Sequence, residues 1–403
     1  MNLPKLGSSN QSGSGGMGIS LVWVIIGGVI IIVGGFFISL FTPSIFPTQG
    51  SAESVLIDNL FRFMLFIGGA IFLLVEGLLL ISVVRFRQRK GERADGPPNQ
   101  GNTTLELVWT VIPAIIVTIL SLYAFVVWQQ IETVPANTQN VSVLGQRFAW
   151  TFGYEATTDD LPPDVDMSRV PEALQHTLTE GGAITFSSPQ MHTWVNQTVY
   201  VTIDTEDVNH AFWIPGMRLK QDALAGYTTD MHFTPIEAGV YRIVCAELCG
   251  GGHGNMAGIV TEDGDLSGAW LIVHPDEETY LREFYYPSLE TVLYPPDDPV
   301  ALGRQVIQNY PCSGCHRLEE LGWVGVTGPN LTGVASRTSR LNATGYATME
   351  EYIRSSIRHP SEYVVPGYNN IMPPFNDDPS ETNYMSEADW NAIVAFLLTQ
   401  TGS

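Results

Sequence analysis

The sequence predicts a three-part chain: transmembrane α-helices first, an antiparallel β-barrel or sandwich in the middle, and an all-α domain at the end. Three observations predict it. Long apolar runs crowd the first 130 residues. From there to about residue 275, β-branched and aromatic residues alternate between Gly, Pro and Asn turns. Helical periodicity then returns over the last hundred residues, around the pentapeptide CSGCH.

The first part, 1–131, holds the runs SLVWVIIGGVIIIVGGFFISLF, LFRFMLFIGGAIFLLVEGLLLISVVRF and LVWTVIPAIIVTILSLYAFVVW, read as helices over about 20–41, 58–86 and 105–129. At about 1.5 Å per residue, a run of roughly 22 residues spans about 33 Å, enough for a hydrocarbon core of about 30 Å. The first run exceeds the usual signal-peptide core and only Lys5 precedes it, so it is read as a retained helix. Between the second and third runs, Arg85, Arg87, Arg89, Lys90 and Arg93 form a short basic loop, which marks the cytoplasmic side. The third helix therefore leads outward, and everything after about residue 130 lies outside. Glu76, in the middle of the second run, is either a proton-carrying group or the partner of a polar group on another subunit, and Arg62 snorkels to the outer interface.

The second part, 132–275, reads as one β domain with NVSVLGQRFAWTFGYE, TVYVTIDTE and GVYRIVCAE as strands and 156–182 as an acidic surface insertion. Residues 276–298 read as a Pro/Asp-rich linker with a short helix at its start. The third part, 299–403, shows helical runs at 299–310, 348–358 and 386–400. Ser386 followed by Asp389 resembles a capping box with Asp in place of Glu. Formal net charge is −22, and nearly all of it follows residue 131: the first part carries seven basic and six acidic residues, the remainder twelve and thirty-five. That balance argues against nucleic acid as a partner and suits an external partner with a basic face.

Chemistry concentrates at two motifs, which use all four cysteines. C-x-x-C-H at 312–316 is the pattern of covalent haem c attachment, with thiols Cys312 and Cys315 adding to the haem vinyls and His316 binding iron. A sixth ligand is required, and thioether ligation raises the potential. Of Met349, Met372 and Met385, the one in the Pro/Gly loop VPGYNNIMPPF, Met372, is the expected ligand. The second motif is CAELCGGGHGNM, with Cys245, Glu247, Cys249, His253 and Met256. A disulfide would close a very short loop and leave His253 and Met256 idle, and zinc takes thioethers poorly. Two thiolates with imidazole and thioether favour copper, and two coppers would need a second histidine, which His210 in DVNHAFWIP offers. His176, His192, His232, His274 and His359 have no ligand context.

DVNHAFWIP followed by CAELCGGGHGNM closely resembles the CuA domain of cytochrome c oxidase subunit II, and LELVWTVIPAII resembles that subunit's second core helix. The likeness covers about 45–275. The last part looks like a class I cytochrome c, with GPNL and MPPF in order, and the fusion is similar to the caa3-type oxidases. The resemblance implies a cupredoxin-like β domain in which Cys245 and Cys249 bridge two coppers. His210 and Met256 would complete one metal, and His253 with the Glu247 carbonyl the other. It further implies a Glu247 carboxylate facing subunit I at a magnesium or manganese ion, and Glu106 at the entrance of a proton pathway. Two positions depart from the family. Phe148 stands where tryptophan is usual, with Trp150 two residues on, and Tyr227 stands where arginine is usual.

What this implies is the electron-entry subunit of a proton-translocating oxidase, multi-pass in a bacterial cytoplasmic membrane. Its metal domains would lie on the outer side. Electrons would pass from an external donor, a soluble cytochrome c or small copper protein, through haem c to CuA and on to subunit I, with subunit III alongside. The alternatives are a subunit of a CuA-containing nitric oxide reductase and a free-standing membrane-tethered electron carrier.

Overall fold

The computed structural model describes residues 21–87, 91, 101–261, 264, 266–379 and 383–402; Lys5, Arg89, Lys90 and Arg93 of the sequence reading lie outside them. The first of two compact units is helical: α1 (Leu21–Ser39), the single turn α2 (Thr42–Ile45), and most of α3 (Ala52–Arg85) and α4 (Thr103–Glu132). Three helices, Val22–Ile45, Ala52–Arg85 and Thr103–Glu132, are long and apolar enough to cross a membrane. α3 starts six residues before the expected position, because Ser51 and Ser54 exchange backbone and hydroxyl hydrogen bonds that cap its first turn. α1 and α3 meet through glycines. A Cβ on Gly35 would lie 2.8 Å from the Phe66 carbonyl oxygen, and one on Gly69 would lie 3.1 Å from the Ile38 side chain. Small residues that let backbones approach are what association needs where no water drives it.

The second unit contains the β domain and the C-terminal helices. Its principal sheet has the order β3-β2-β1-β5-β8, built from β1 (Thr138–Gln146), β2 (Ala149–Ala156), β3 (Ile184–Ser188), β5 (Thr198–Thr205) and β8 (Thr229–Phe233). Along β2, Trp150, Phe152, Tyr154 and Ala156 are buried at every second position, as are Val199, Val201 and Ile203 along β5. Two smaller sheets face the same core. One has the order β10-β6-β7, with β6 (His210–Ile214), β7 (Leu219–Ala223) and β10 (Val244–Cys245). The other is β4-β13-β9, with β4 (Met191–Trp194), β9 (Gly239–Arg242) and β13 (Trp270–His274). The sandwich is mixed rather than purely antiparallel, since β1 runs parallel to β5 and β4 parallel to β13. Parallel neighbours need a long connection, and the fifty-odd residues between β1 and β5 supply it.

The expected surface insertion is mostly exposed but anchored, and the expected linker is largely helical. Within 156–182, α5 (Glu172–Thr179) and the turns before it bury Val170 and Leu178 against the sandwich. The stretch expected as a linker contains one helical run over 277–293, through α6 (Glu277–Tyr280), a wider turn at Leu281–Tyr285 and α7 (Tyr286–Leu293). Asp276 caps it by accepting from the Thr279 amide at 2.8 Å. Tyr280, Phe284, Tyr285, Leu289 and Leu293 form a buried stripe on the β-domain core. Pro287, which has no N–H to give, and the Pro/Asp cluster after Tyr294 make this stretch read as irregular, although Pro287 directly follows the wider turn.

In the C-terminal domain α8 (Pro299–Val306) crosses α11 (Glu387–Leu398), with α9 (Ser339–Thr344) and α10 (Met349–Arg358) between them in sequence. A side chain at Gly303 would collide with the Ala392 carbonyl, so glycine there sets the closeness of the crossing. Trp390, Ile393, Phe396 and Leu397 form the core with Val306 and Ile307. Ser386 caps α11 by accepting from the Asp389 amide at 3.1 Å, while the Asp389 carboxylate accepts from the Tyr310 hydroxyl at 2.8 Å. The capping box is therefore half formed.

Candidate metal centre and haem cleft

The first site rests on strand register. β10 pairs with β6 so that Cys245 lies opposite Phe212, two residues from His210. Diagonal neighbours on one face are within reach of long side chains, and His210 Nδ1 lies 3.9 Å from Cys245 Sγ. After Cys245 the chain turns back: Cys245 Sγ lies 3.1 Å from the Glu247 carbonyl oxygen, Cys249 Sγ is 3.6 Å from His253 Nδ1 and 3.4 Å from Met256 Sδ. His210, Cys245 and Cys249 place ligand atoms within 4.8 Å of one another, and all three are buried, as is Met256. His253 is half-buried and Glu247 exposed. All six expected donors thus converge, and no disulfide joins the thiols. The set of two thiols, two imidazoles, a thioether and a carbonyl fits copper.

The electrostatics favour a charged sulfur here. The Cys245 thiol is held far below its ordinary range, first by the hydrogen bond from Cys249 and then, against burial, by His210; the same bond and burial push Cys249 up. Burial opposes ionisation of Asp207, yet hydrogen bonds from His210, from the Val208 and Arg147 amides and from the Arg147 guanidinium pull its carboxyl well below the usual range. Asp207 Oδ1 lies 2.9 Å from His210 Nε2. The imidazole therefore gives its Nε2–H to a carboxylate and presents Nδ1 to the thiols, a pattern that orients metal-binding histidines.

The second site is an open, largely apolar cleft in the C-terminal domain, lined among others by Cys312, Cys315, His316, Met372 and Met385. His316 Nδ1–H donates to the Pro329 carbonyl at 2.7 Å, which fixes the ring and leaves Nε2 for a metal. A side chain at Gly328 would strike that ring, with its Cβ 2.8 Å from Cε1. Burial pushes the Cys312 thiol up to about 12 and that of Cys315 to about 11, so both remain neutral. A large apolar cleft with two free thiols and one oriented imidazole fits a covalently attached haem. Met349 is not among the cleft's lining residues. Met385 lines it but is 1% exposed and locked in the domain core, whereas Met372 is half-buried at its wall.

The two sites meet at a hairpin. Gln146 pairs with Ala149, so Arg147 and Phe148 form the two-residue tip of β1–β2. The buried Phe148 ring lies under the copper-site loop, where a Cβ on Gly250 would come within 3.1 Å of it. The Phe148 carbonyl abuts Gly314, between the two haem cysteines, closely enough that no side chain fits there. Asn255 Nδ2 donates to Thr327 Oγ1, and the Asn383 amide donates to Glu206 at 3.3 Å. Arg147 lines the haem cleft. Sequence reasoning missed Asp207 and Arg147; the carboxylate three residues before a ligand histidine was the available signal.

Glu106 lies at the start of α4, exposed, and its Oε1 accepts from the Asn102 amide at 3.3 Å while Asn102 Oδ1 accepts from Leu105. It therefore takes part in capping that helix. Tyr227 and Glu76 are exposed, and of the remaining histidines His192 and His274 stack in the β domain with ring centroids 5.4 Å apart and His192 Nδ1 3.1 Å from His274 Nε2.

Sequence profiles match three regions in order: "Cytochrome C oxidase subunit II, transmembrane domain" over 39–127, "Cytochrome C oxidase subunit II, periplasmic domain" over 139–263, and "Cytochrome c" over 300–401. The cytochrome c oxidase subunit 2 of Thermostichus vulcanus is 34% identical over 293 residues, covering 65% of this chain and 85% of that protein. That of Synechocystis sp. is 32% identical over 60% of this chain and 78% of its own length. That of Alkalihalophilus pseudofirmus is 29% identical over 81% of both.

Proposed function

This chain belongs to the cytochrome c oxidase subunit 2 family, with a cytochrome c domain fused at its C-terminus, and from that premise we propose the route by which it admits electrons to the enzyme. Cys312, Cys315, His316 and Met372 would hold haem c. His210, Cys245, the Glu247 carbonyl, Cys249, His253 and Met256 would together hold the copper of CuA. Haem and copper, when bound, supply the one-electron redox states. The chain's own residues do the rest: the Pro329 carbonyl and Asp207 orient the two imidazoles, and burial keeps water from the thiolates. The observation that carries the route is the hairpin tip, where Phe148 touches the copper-site loop on one side and the haem-attachment loop on the other.

The same reading extends outward. The exposed Glu247 carboxylate meets subunit I, where it binds a magnesium or manganese ion, and Glu106 lies at the mouth of a proton pathway into that subunit. Subunit III completes the assembly in the bacterial cytoplasmic membrane, with the metal domains on its outer side and a soluble cytochrome c or small copper protein as donor. Purification of the native complex tests this. Haem c, CuA and haem-bearing subunit I should co-purify and consume oxygen. A complex that reduces nitric oxide and not oxygen, or a chain that purifies alone, would overturn it. Within that complex, Glu106→Gln should slow turnover with both spectra unchanged, and full turnover would remove Glu106 from the proton route.

A further inference from the structure

Arg147 belongs to the copper-site domain by sequence and pairing, yet it lines the haem cleft of the neighbouring domain. Its side chain is partly exposed and is held by Asp207, whose Oδ2 accepts from the Arg147 amide at 2.9 Å and from Nε at 3.0 Å. The other oxygen of the same carboxylate, Oδ1, accepts from Nε2 of His210 at 2.9 Å. One carboxylate thus binds a copper-side imidazole with one oxygen and a haem-side cation with the other. With Nε committed to Asp207, the two Nη groups of Arg147 are the donors it can offer inside the cleft, and guanidinium forks match carboxylates such as those a haem carries.

We propose that Arg147 and Asp207 are a shared pair of positioning residues, through which the copper domain completes the haem site and the charge at one redox centre is felt at the other. The proposal rests on the assignment of haem c and CuA above. Its consequences have definite signs. A cation at the haem cleft favours the ferrous form, which carries one positive charge fewer, so Arg147 raises the haem potential. Arg147 also neutralises Asp207. Without it, the carboxylate acts undiminished on the His210 imidazole, makes it a stronger donor and favours oxidised copper.

Redox titration of the purified complex, following the haem c and copper absorption bands separately, tests this without recourse to turnover. Arg147→Gln should lower both potentials, and Arg147→Lys, which keeps the charge, should restore the haem potential. In an Asp207→Asn background the copper potential should no longer respond to Arg147→Gln, because the connecting carboxylate is gone; a double-mutant cycle isolates that coupling. The proposal is overturned if Arg147→Gln leaves either potential in place while both spectra remain intact. Should Arg147→Gln fail to assemble, a haem potential that moves in Arg147→Lys as far as in Arg147→Ala overturns it equally. Absence of haem c or copper bands from the unmutated complex is a different failure and would remove the underlying assignment.

Discussion

The copper site and the haem cleft lie in one structural unit and are built on opposite plans. At the copper site, β6 and β10 fix His210 and Cys245 by register, and the loop that follows folds its remaining donors back over them at 3.1–3.9 Å. Little space remains to be filled. At the haem site, a 3-10 turn, a Pro/Gly loop and helices surround an open cleft, and much of the wall is hydrophobic. Core residues such as Phe375 and Ile393 contribute apolar surface to that wall, which a bound cofactor would cover. The comparison teaches that one centre is preorganised by the sheet and receives its metals, while the other is completed by its cofactor.

The largest expected effects bear directly on that contrast. Cys249→Ser should abolish the mixed-valence copper signal altogether, yet leave the β domain folded, since Phe152, Val199, Val201 and Phe212 form its core without the metal. Circular dichroism and electron paramagnetic resonance of the complex check both halves. Loss of the fold along with the signal would mean that the copper site is not preorganised. Expression without haem should act in the opposite way: the C-terminal domain should lose its cooperative melting transition while the β domain keeps its own. A haem-free C-terminal domain that melts cooperatively at an unchanged temperature would erase the contrast.

A smaller effect is expected at the axial ligand. Met372→His keeps a six-coordinate iron and should lower its potential, because thioether ligation favours the ferrous state relative to imidazole. Transfer on to copper then becomes more downhill, but reduction of the haem by the external donor becomes less favourable, by about tenfold in its equilibrium for each 1.4 kcal/mol, so turnover supported by that donor should fall with copper and haem contents normal. If the potential and the methionine–iron band survive, Met385, the other thioether at the cleft, is the ligand.

How much of this was legible in the sequence follows the same division. The cluster of candidate donors was, because soft ligand types at fixed short spacing fall around one turn; the nearness of His210 was, because a strand end offered an imidazole to them. Asp207 and Arg147 were not. Their importance depends on a hairpin tip and a strand end meeting sixty residues apart, which no local pattern records. The helix at 277–293 was hidden by its one proline, Pro287, which directly follows the wider turn. Glu106 was read through its chemistry alone, although its place one turn after Asn102 also carried a capping signal. Local periodicity reveals which face is buried, but not which partner buries it.

The smallest expected effect concerns the seam between the two plans. Gly314 lies between the haem cysteines, and its Cα faces the Phe148 carbonyl with no room for a methyl group. Gly314→Ala must therefore push the haem loop away from the hairpin or distort the 3-10 turn; overpacking of this kind costs about 1–3 kcal/mol. Cys312, Cys315 and His316 flank the position without depending on the contact, and His316 keeps its bond to Pro329. The copper donors lie on the other side of the Phe148 ring. Both spectra should thus remain as they are, and each centre should still be reduced by small-molecule donors at its normal rate. What should change is transfer between them, since tunnelling weakens with every added fraction of an ångström. A laser-triggered measurement of haem-to-copper transfer in Gly314→Ala should find it a few-fold slower. An unchanged rate would mean that electrons do not cross at Phe148.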